Sequence, residues 1–356
     1  MQVALVVAKR NVESAAFGDA PHQKVVTGPF GLQSVLTLRG LIRSFDPNFL
    51  LCYDEIASRI AILAVPLRRH IVIPVKPGWL NSDSWTNGVE KFVLFTRENL
   101  DFYTRSRRYI GVSLFYIPNR VMVPPQDPLA RSRLASAIPQ VDWSSRIIMC
   151  PVRFDPGKAA VIDAALRLHE QLSSQQKHEL IVIGSSPHPE YFDRLRAEHR
   201  SQKDIHFSSD PELTAKLSSI LNAADVIVAA GRTAAEALLL QKTVYVALGN
   251  ERKPVLVTPS NFHILQHFNF SGRVQPEDLP EGNFSPESSI VKDTSGSLAM
   301  LVERELSAEG APTKYLDMIS VPCVRVGILR QIFTYLASAV RLAAVVALSE
   351  RRRRAK

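Results

Sequence analysis

The chain has 356 residues, 46% of them hydrophobic, enough for about two domains with cores of their own. A formal net charge of +9, from 43 Lys and Arg, admits anionic partners such as nucleotide phosphates, anionic lipid or nucleic acid. Cys52, Cys150 and Cys323 fall in no CxxC pair and no metal-ligand spacing, which excludes a disulfide framework or cysteine metal site and suits the cytoplasm.

The opening MQVALVVAKR has an apolar run too short for a signal sequence. No stretch of about 20 uncharged apolar residues follows, so no transmembrane helix is expected. Residues 1–140 read as a first unit. Gln2 to Ala8 and Lys24 to Thr27 are strand-like, and Gly28-Pro-Phe-Gly31 is a turn. Gln33 to Phe45 has helical spacing, Phe49 to Cys52 is a short buried strand and Glu55 to Leu63 a helix. Arg69 to Val75 is a strand that runs into Lys76-Pro77-Gly78. Lys91 to Thr96 is a strand, Arg97 to Arg105 a helix and Val112 to Ile117 a strand. This alternation is the sequence form of an α/β unit. Only one glycine stands in the KRNVESAAFGD segment after the first strand, so this unit reads as abbreviated at its N-terminus, with the phosphate-holding role left to the second.

Val123 to Asp142 is Pro-containing and reads as a linker. The second unit, 145–320, starts with the strand Arg146 to Phe154. Asp155-Pro156 then signals a helix with Val161, Ala165, Leu168 and Leu172 on one face. Strands at Glu179 to Gly184, Asp204 to Phe207 and Asp225 to Ala230 alternate with helices at Glu190 to Arg200 and Glu212 to Ala223. Gly231 then turns the chain, Thr233 is a candidate cap for a helix to about Leu240, and a further strand reaches Leu248. Such a run implies a doubly wound parallel sheet. After Leu248 the chain reads as loop-rich, with a helix at Leu298 to Leu306.

Residues 321–356 form a tail. Ile328 to Leu348 is apolar apart from Arg330, Gln331 and Arg341, and Arg351 to Lys356 carries five positive charges. Two readings stand side by side: an amphipathic segment on an anionic membrane surface, or a docked helix with a solvated basic end.

Three elements fall at the carboxyl edge of the second sheet. Arg153 ends its first strand, Lys158 is in the first turn of the next helix, and Gly231-Arg232-Thr233 opens a later helix. Fixed cations and free helix N–H groups at that edge suit a diphosphate. Glu236, one turn further on, suits a ribose diol. The plainer readings are a solvated Lys158, a surface Arg153, and Thr233-Ala-Ala-Glu236 as a capping box that needs no ligand. Scattered charge and the absence of a recognised motif argue against a nucleic-acid partner.

These residues resemble the donor-binding domain of GT-B fold glycosyltransferases, in particular glycosyltransferase family 4. The resemblance covers roughly residues 45 to 250 and is strongest from 147 to 248. It rests on Arg153-Phe-Asp-Pro-Gly-Lys158 as the family's R-x-x-x-x-K element, on Leu180 to Gly184, on Ile117-Pro118-Asn119, and on Ala224 to Leu248 with its glutamate. It implies two Rossmann-like doubly wound domains facing a cleft. It also implies transfer of a sugar, with retention, from a nucleoside-diphosphate-sugar donor to a sugar, cell-envelope or lipid-linked acceptor. No metal or other cofactor is implied. Arg153 and Lys158 would act on the diphosphate, and Gly184, Gly231, Arg232, Thr233 and Glu236 would bind the donor, Glu236 at the ribose. Lys76 and Gly78 would lie on the acceptor side, with Gly28–Gly31 nearby.

Two departures keep other classes open. The family carries two glutamates eight positions apart, and Val228 stands eight before Glu236, with the loop shortened to Ala229-Ala-Gly-Arg232. The family's first-domain histidine is replaced by Lys76-Pro77-Gly78, with His70 at a strand's start. A short-loop subset of the family resembles this form, including its late loop at Thr258-Pro-Ser-Asn261 and Asn269-Phe-Ser-Gly272-Arg273. A nucleotide-sugar epimerase and a non-catalytic sugar-nucleotide-binding protein remain alternatives.

Overall fold

The computed structural model describes residues 4–7, 23–26, 32–53, 55–65, 71–76, 89–248, 253–280, 296–322, 332 and 336. The chain divides into two compact units, Met1–Ile117 with Leu316–Lys356, and Pro118–Tyr315.

The first unit opens with β1 (Ala4–Val7) and β2 (Gln23–Val26), a parallel pair. Next come α1 (Leu32–Phe45), β3 (Phe49–Cys52), α2 (Glu55–Ala64), β4 (Ile71–Lys76), β5 (Lys91–Leu94), α3 (Arg97–Arg105) and β6 (Ser113–Tyr116). The last four strands form one parallel sheet in the order β3-β4-β5-β6. Strands this short hold because their side chains are covered: Phe92, Val93 and Leu94 are fully buried. Phe92, Tyr103 and Tyr109 pack as an aromatic cluster with ring centroids 4.5–5.7 Å apart.

The second unit runs through α4 (Ala130–Ala137), β7 (Arg146–Pro151), α5 (Ala159–Ser173), β8 (His178–Ile183), α6 (Pro189–Glu198) and β9 (Ile205–Ser208). It continues with α7 (Pro211–Ala215), α8 (Leu217–Ile220), β10 (Val226–Val228), α9 (Arg232–Leu239) and β11 (Thr243–Leu248). β12 (Lys253–Leu256), α10 (Phe262–His267) and α11 (Ser297–Leu306) complete it; α12 (Ala311–Ser320) is divided, its residues from Leu316 on belonging to the first unit. The sheet order is β12-β11-β10-β7-β8-β9, parallel except for β12. Ile147, Met149, Ile181 and Ile183 enter one core and Ile148, Cys150, Leu180 and Val182 the other. Both faces are buried, so these strands read as apolar runs after their first residues, Ile147–Pro151 in β7 and Leu180–Ile183 in β8. The face expected on α5 is the one it buries, with Val161, Ala165, Leu168 and Leu172 all packed. Each side of the sheet is thus covered by helices, and the two units are both Rossmann-like.

Several local readings change. The stretch read as a linker contains α4, whose Ala130 and Leu134 are buried in the second unit's core, so apolar spacing there outweighs the prolines. The helix expected over Glu212 to Ala223 breaks at Lys216. The loop expected after Leu248 holds β12, an edge strand that accommodates Pro254, and α10. Cys52 and Cys150 are free and buried, and burial pushes the Cys150 thiol well above its usual range, which keeps it unreactive. Apart from Ile332 and Leu336, both exposed, the apolar part of the tail lies outside the described residues. Among the described residues no helix is long and apolar enough to cross a membrane.

Lys91 begins β5 with a buried side chain. Its ammonium donates to the carbonyls of Met318 (2.8 Å), Ile319 (3.3 Å) and Val321 (2.6 Å) at the end of α12. These are carbonyls that a helix end leaves unpaired, and the cation also meets the negative end of the helix dipole. Lys91→Met strips them of their donor without removing much volume. It is expected to cost on the order of 2–3 kcal/mol, measured by denaturant unfolding.

At the amino edge of the second sheet, His178 is buried, with Nδ1 2.6 Å from the carbonyl of Gln176. Burial holds its pKa below the ordinary 6.5, against the opposing pull of that hydrogen bond. A depressed histidine pKa means that the unfolded chain binds the proton first, so stability falls as pH drops through about 6.5 and below. In thermal melts between pH 8 and pH 5, His178→Gln should flatten this loss. An unchanged slope would contradict it.

Candidate functional site

In the second sheet the chain order runs outward one way from β7 through β8 to β9, and the other way from β10 to β11. The switch point therefore lies between β7 and β10, where the connections leaving the carboxyl ends of the strands diverge and open a crevice. A concavity of about 310 Å³ lies there, lined by residues that follow β7 (Val152, Arg153), β8 (Gly184, Ser185) and β10 (Thr233). Pro211, Thr214, Ala215 and Leu217 form its other wall, on α7 and α8.

Its floor exists because Gly184 has no side chain. A Cβ on Gly184 would stand 1.9 Å from the carbonyl oxygen of Val152. The backbone pairing continues past the strands, Val152 N–H donating to Ile183 (2.9 Å) and Phe154 N–H to Ser185 (2.9 Å). Two strand ends pressed this closely leave Arg153 directed out of the sheet, where it is exposed. Asp155 then caps a one-turn 3-10 helix, Pro156–Lys158, by accepting from the N–H of Gly157 at 2.8 Å. Lys158 ends that turn and is exposed. Among the described residues the Arg153 and Lys158 side chains have no hydrogen-bond or ion-pair partner. Arg153 lines the concavity and Lys158 does not.

Gly231 is the second special glycine. It sits at φ 61°, ψ −131°, a conformation other residues rarely adopt, yet its missing Cβ would meet nothing nearer than 3.8 Å. Its N–H donates to the carbonyl of Phe270 at 3.1 Å. Asn269 and Phe270 are themselves left-handed, at φ 54° and 51°, and Phe270 is buried against Phe262. The late loop singled out in the sequence is thus the strut that holds the Gly231 turn. Asn261, fully buried, shapes its other end by accepting from the N–H of Thr258 and donating to Leu256.

This turn shifts the helix start. Gly231, not Thr233, is the N-cap of α9, and no side chain caps it. The expected capping box is therefore absent: the sharp turn brings the backbone into helix at Arg232, two residues too early for Thr233 to cap. Among the described residues the N–H groups of Arg232, Thr233 and Ala234 have no acceptor, and Thr233 faces the concavity. Glu236 is buried, its carboxylate accepting from Arg232 Nε at 2.7 Å and Ser218 Oγ at 2.8 Å.

In the first unit, Lys76 ends β4 with a buried side chain, its ammonium 5.8 Å from the centroid of the Phe92 ring. Gly78, Gly28–Gly31 and His70 lie outside the described residues. Among the described residues no group of three His, Cys, Asp or Glu side chains is placed to hold a metal ion.

The sequence thus located Arg153, Gly184 and Thr233, which the fold brings to one concavity. It missed the wall from Pro211 to Leu217 and the hydrogen bond from Ser218 to Glu236. Asp210-Pro211, a cap followed by proline at a strand's carboxyl end, was the available signal for that wall.

Gly184→Ala and Gly231→Ala separate two kinds of glycine. The first meets backbone and should cost well over ~3 kcal/mol or abolish folding. The second meets open space and should cost only the conformational strain, about 1–3 kcal/mol. Equal costs in denaturant unfolding would contradict the assignment.

No protein-family model matches the sequence, and no curated protein matches it. Solved structures do share the fold. The chain is similar to a glycosyltransferase from Rickettsia africae at 15% identity and a TM-score of 0.55, with 84% of each chain covered. It is similar to HepE of Anabaena, solved in complex with UDP and glucose, at 11% identity and a TM-score of 0.51, covering 85% of this chain and 87% of that one. A UDP-N-acetylglucosamine 2-epimerase described as putative, from Listeria monocytogenes, is similar at 12% identity and a TM-score of 0.50, covering 84% and 88%. The chain has the two-domain Rossmann-like fold that glycosyltransferases of the GT-B type share with such epimerases.

Proposed function

We propose that the chain is a glycosyltransferase of the family 4 kind, which moves a hexosyl group from a nucleoside-diphosphate-sugar donor to an acceptor hydroxyl with retention at the anomeric carbon. The observation that carries this reading is the meeting of Arg153, the Gly184 turn and the open first turn of α9 around one concavity at the switch point of the second sheet. The nucleoside occupies the concavity. The diphosphate lies against Arg153, Lys158 and the unpaired N–H groups of α9.

In the reaction a bond forms between the acceptor oxygen and the anomeric carbon, and the bond from that carbon to the donor diphosphate breaks. The electron pair leaves with the diphosphate, and the acceptor's proton is released. The protein's contribution is electrostatic, because the cations of Arg153 and Lys158 and the oriented N–H groups match the charge that builds on the leaving diphosphate. The acceptor, a sugar or lipid-linked cell-envelope intermediate, binds at the carboxyl edge of the first sheet, where β4 ends in Lys76. The basic tail holds the enzyme at the cytoplasmic face of an anionic membrane.

An epimerase reading rests on the shared fold with the Listeria structure. Following the sugar nucleotide decides between them: transfer consumes it only when acceptor is present, whereas epimerisation yields an isomer without acceptor.

Calorimetric titration with a panel of nucleoside diphosphates tests the site. Arg153→Ala and Lys158→Ala should each weaken the preferred ligand roughly 10- to 100-fold, the worth of one charge-assisted contact. Parent-like affinity in both variants would remove the assignment.

A further inference from the structure

The family resemblance puts Glu236 on the donor ribose, but its oxygens are already engaged. Glu236 is 4% exposed, inside α9. A carboxylate in such a place needs donors, and it has one for each oxygen: Ser218 Oγ on Oε2 at 2.8 Å and Arg232 Nε on Oε1 at 2.7 Å. The Arg232 side chain is 70% exposed. It is therefore held from behind, through Nε, while its outer Nη1 and Nη2 have no acceptor among the described residues.

An exposed helical pair four residues apart is ordinarily worth little. This one differs because its carboxylate is buried and fixed from the far side by Ser218 on α8, beside Leu217, which lines the concavity. A guanidinium anchored at Nε keeps its plane while presenting two parallel N–H bonds, the geometry that grips a phosphate in bidentate fashion. Arg232 also stands one residue before Thr233, which lines the same concavity.

We infer that Ser218 and Glu236 are positioning residues that hold Arg232 as an anion-binding fork for the diphosphate. The inference rests on the donor-site reading proposed above. It gives the shortened loop a function: the arginine at the start of α9 does its work on the diphosphate, and the buried glutamate serves the arginine rather than the sugar.

Titrating the full chain with pyrophosphate, uridine, UDP, guanosine and GDP tests this. Arg232→Ala should weaken pyrophosphate and the preferred nucleoside diphosphate by ~10-fold. Glu236→Gln and Ser218→Ala should weaken the same two ligands in parallel by a smaller factor, while affinity for the free nucleoside stays at the parent value. Loss of nucleoside affinity in Glu236→Gln would place Glu236 on the ribose and overturn the inference, as would unchanged pyrophosphate binding in all three variants. A parent that binds pyrophosphate with this sensitivity but no nucleoside diphosphate would leave the fork standing and remove the donor reading. A parent that binds none of these ligands would remove both. Thermal melts guard against misfolding, and Ser218→Ala, which deletes one hydroxyl, keeps the test open if Glu236→Gln is unstable.

Discussion

The candidate site depends on a backbone contact. At the carboxyl end of β8 the chain runs so close to Val152 that only a hydrogen fits on the Cα of Gly184. That approach continues the ladder for one step beyond β7 and β8, fixes the bend after Val152, and leaves Arg153 exposed at the edge of the sheet. A side chain at position 184 would push the strand ends apart and fill the floor of the concavity with the same atoms. Fold and site are therefore one constraint at this point: the residue that lets the strands close is also the one that leaves room between them.

A second constraint acts across the switch point. The Gly231 turn is held in an uncommon conformation by one hydrogen bond to Phe270, whose own left-handed backbone is held by burial against Phe262. Strain of this kind persists only where surrounding packing over-determines it. Here it sets where α9 begins, and so which N–H groups stay open and where Arg232 points. The late loop, some 40 residues downstream of Gly231, is thereby part of the site's framework without lining it.

The sheet was readable in the sequence because strands buried on both faces carry runs of apolar residues, as β7 does over Ile147–Pro151, β8 over Leu180–Ile183 and β11 over Val244–Leu248. Asp155-Pro156 and the α5 face were readable for similar local reasons. The start of α9 was not. Thr233 and Glu236 have the spacing of a capping box, and only the distant carbonyl of Phe270 shifts the turn by the residues that matter. Nor does sequence spacing reveal that Ser218 meets Glu236, since that contact comes from packing α8 against α9. β12 was hidden by Pro254, which an edge strand tolerates, and α4 by the prolines that precede it. In each case a tertiary contact outweighed a valid local signal.

The donor site is tested most directly by amide hydrogen exchange of the full chain with and without a saturating nucleoside diphosphate. Exchange should slow at Arg232, Thr233 and Ala234 and at Ser185, with the amino edge of the same sheet unchanged. Protection confined to other segments, or no protection under conditions where the nucleotide binds, would contradict it.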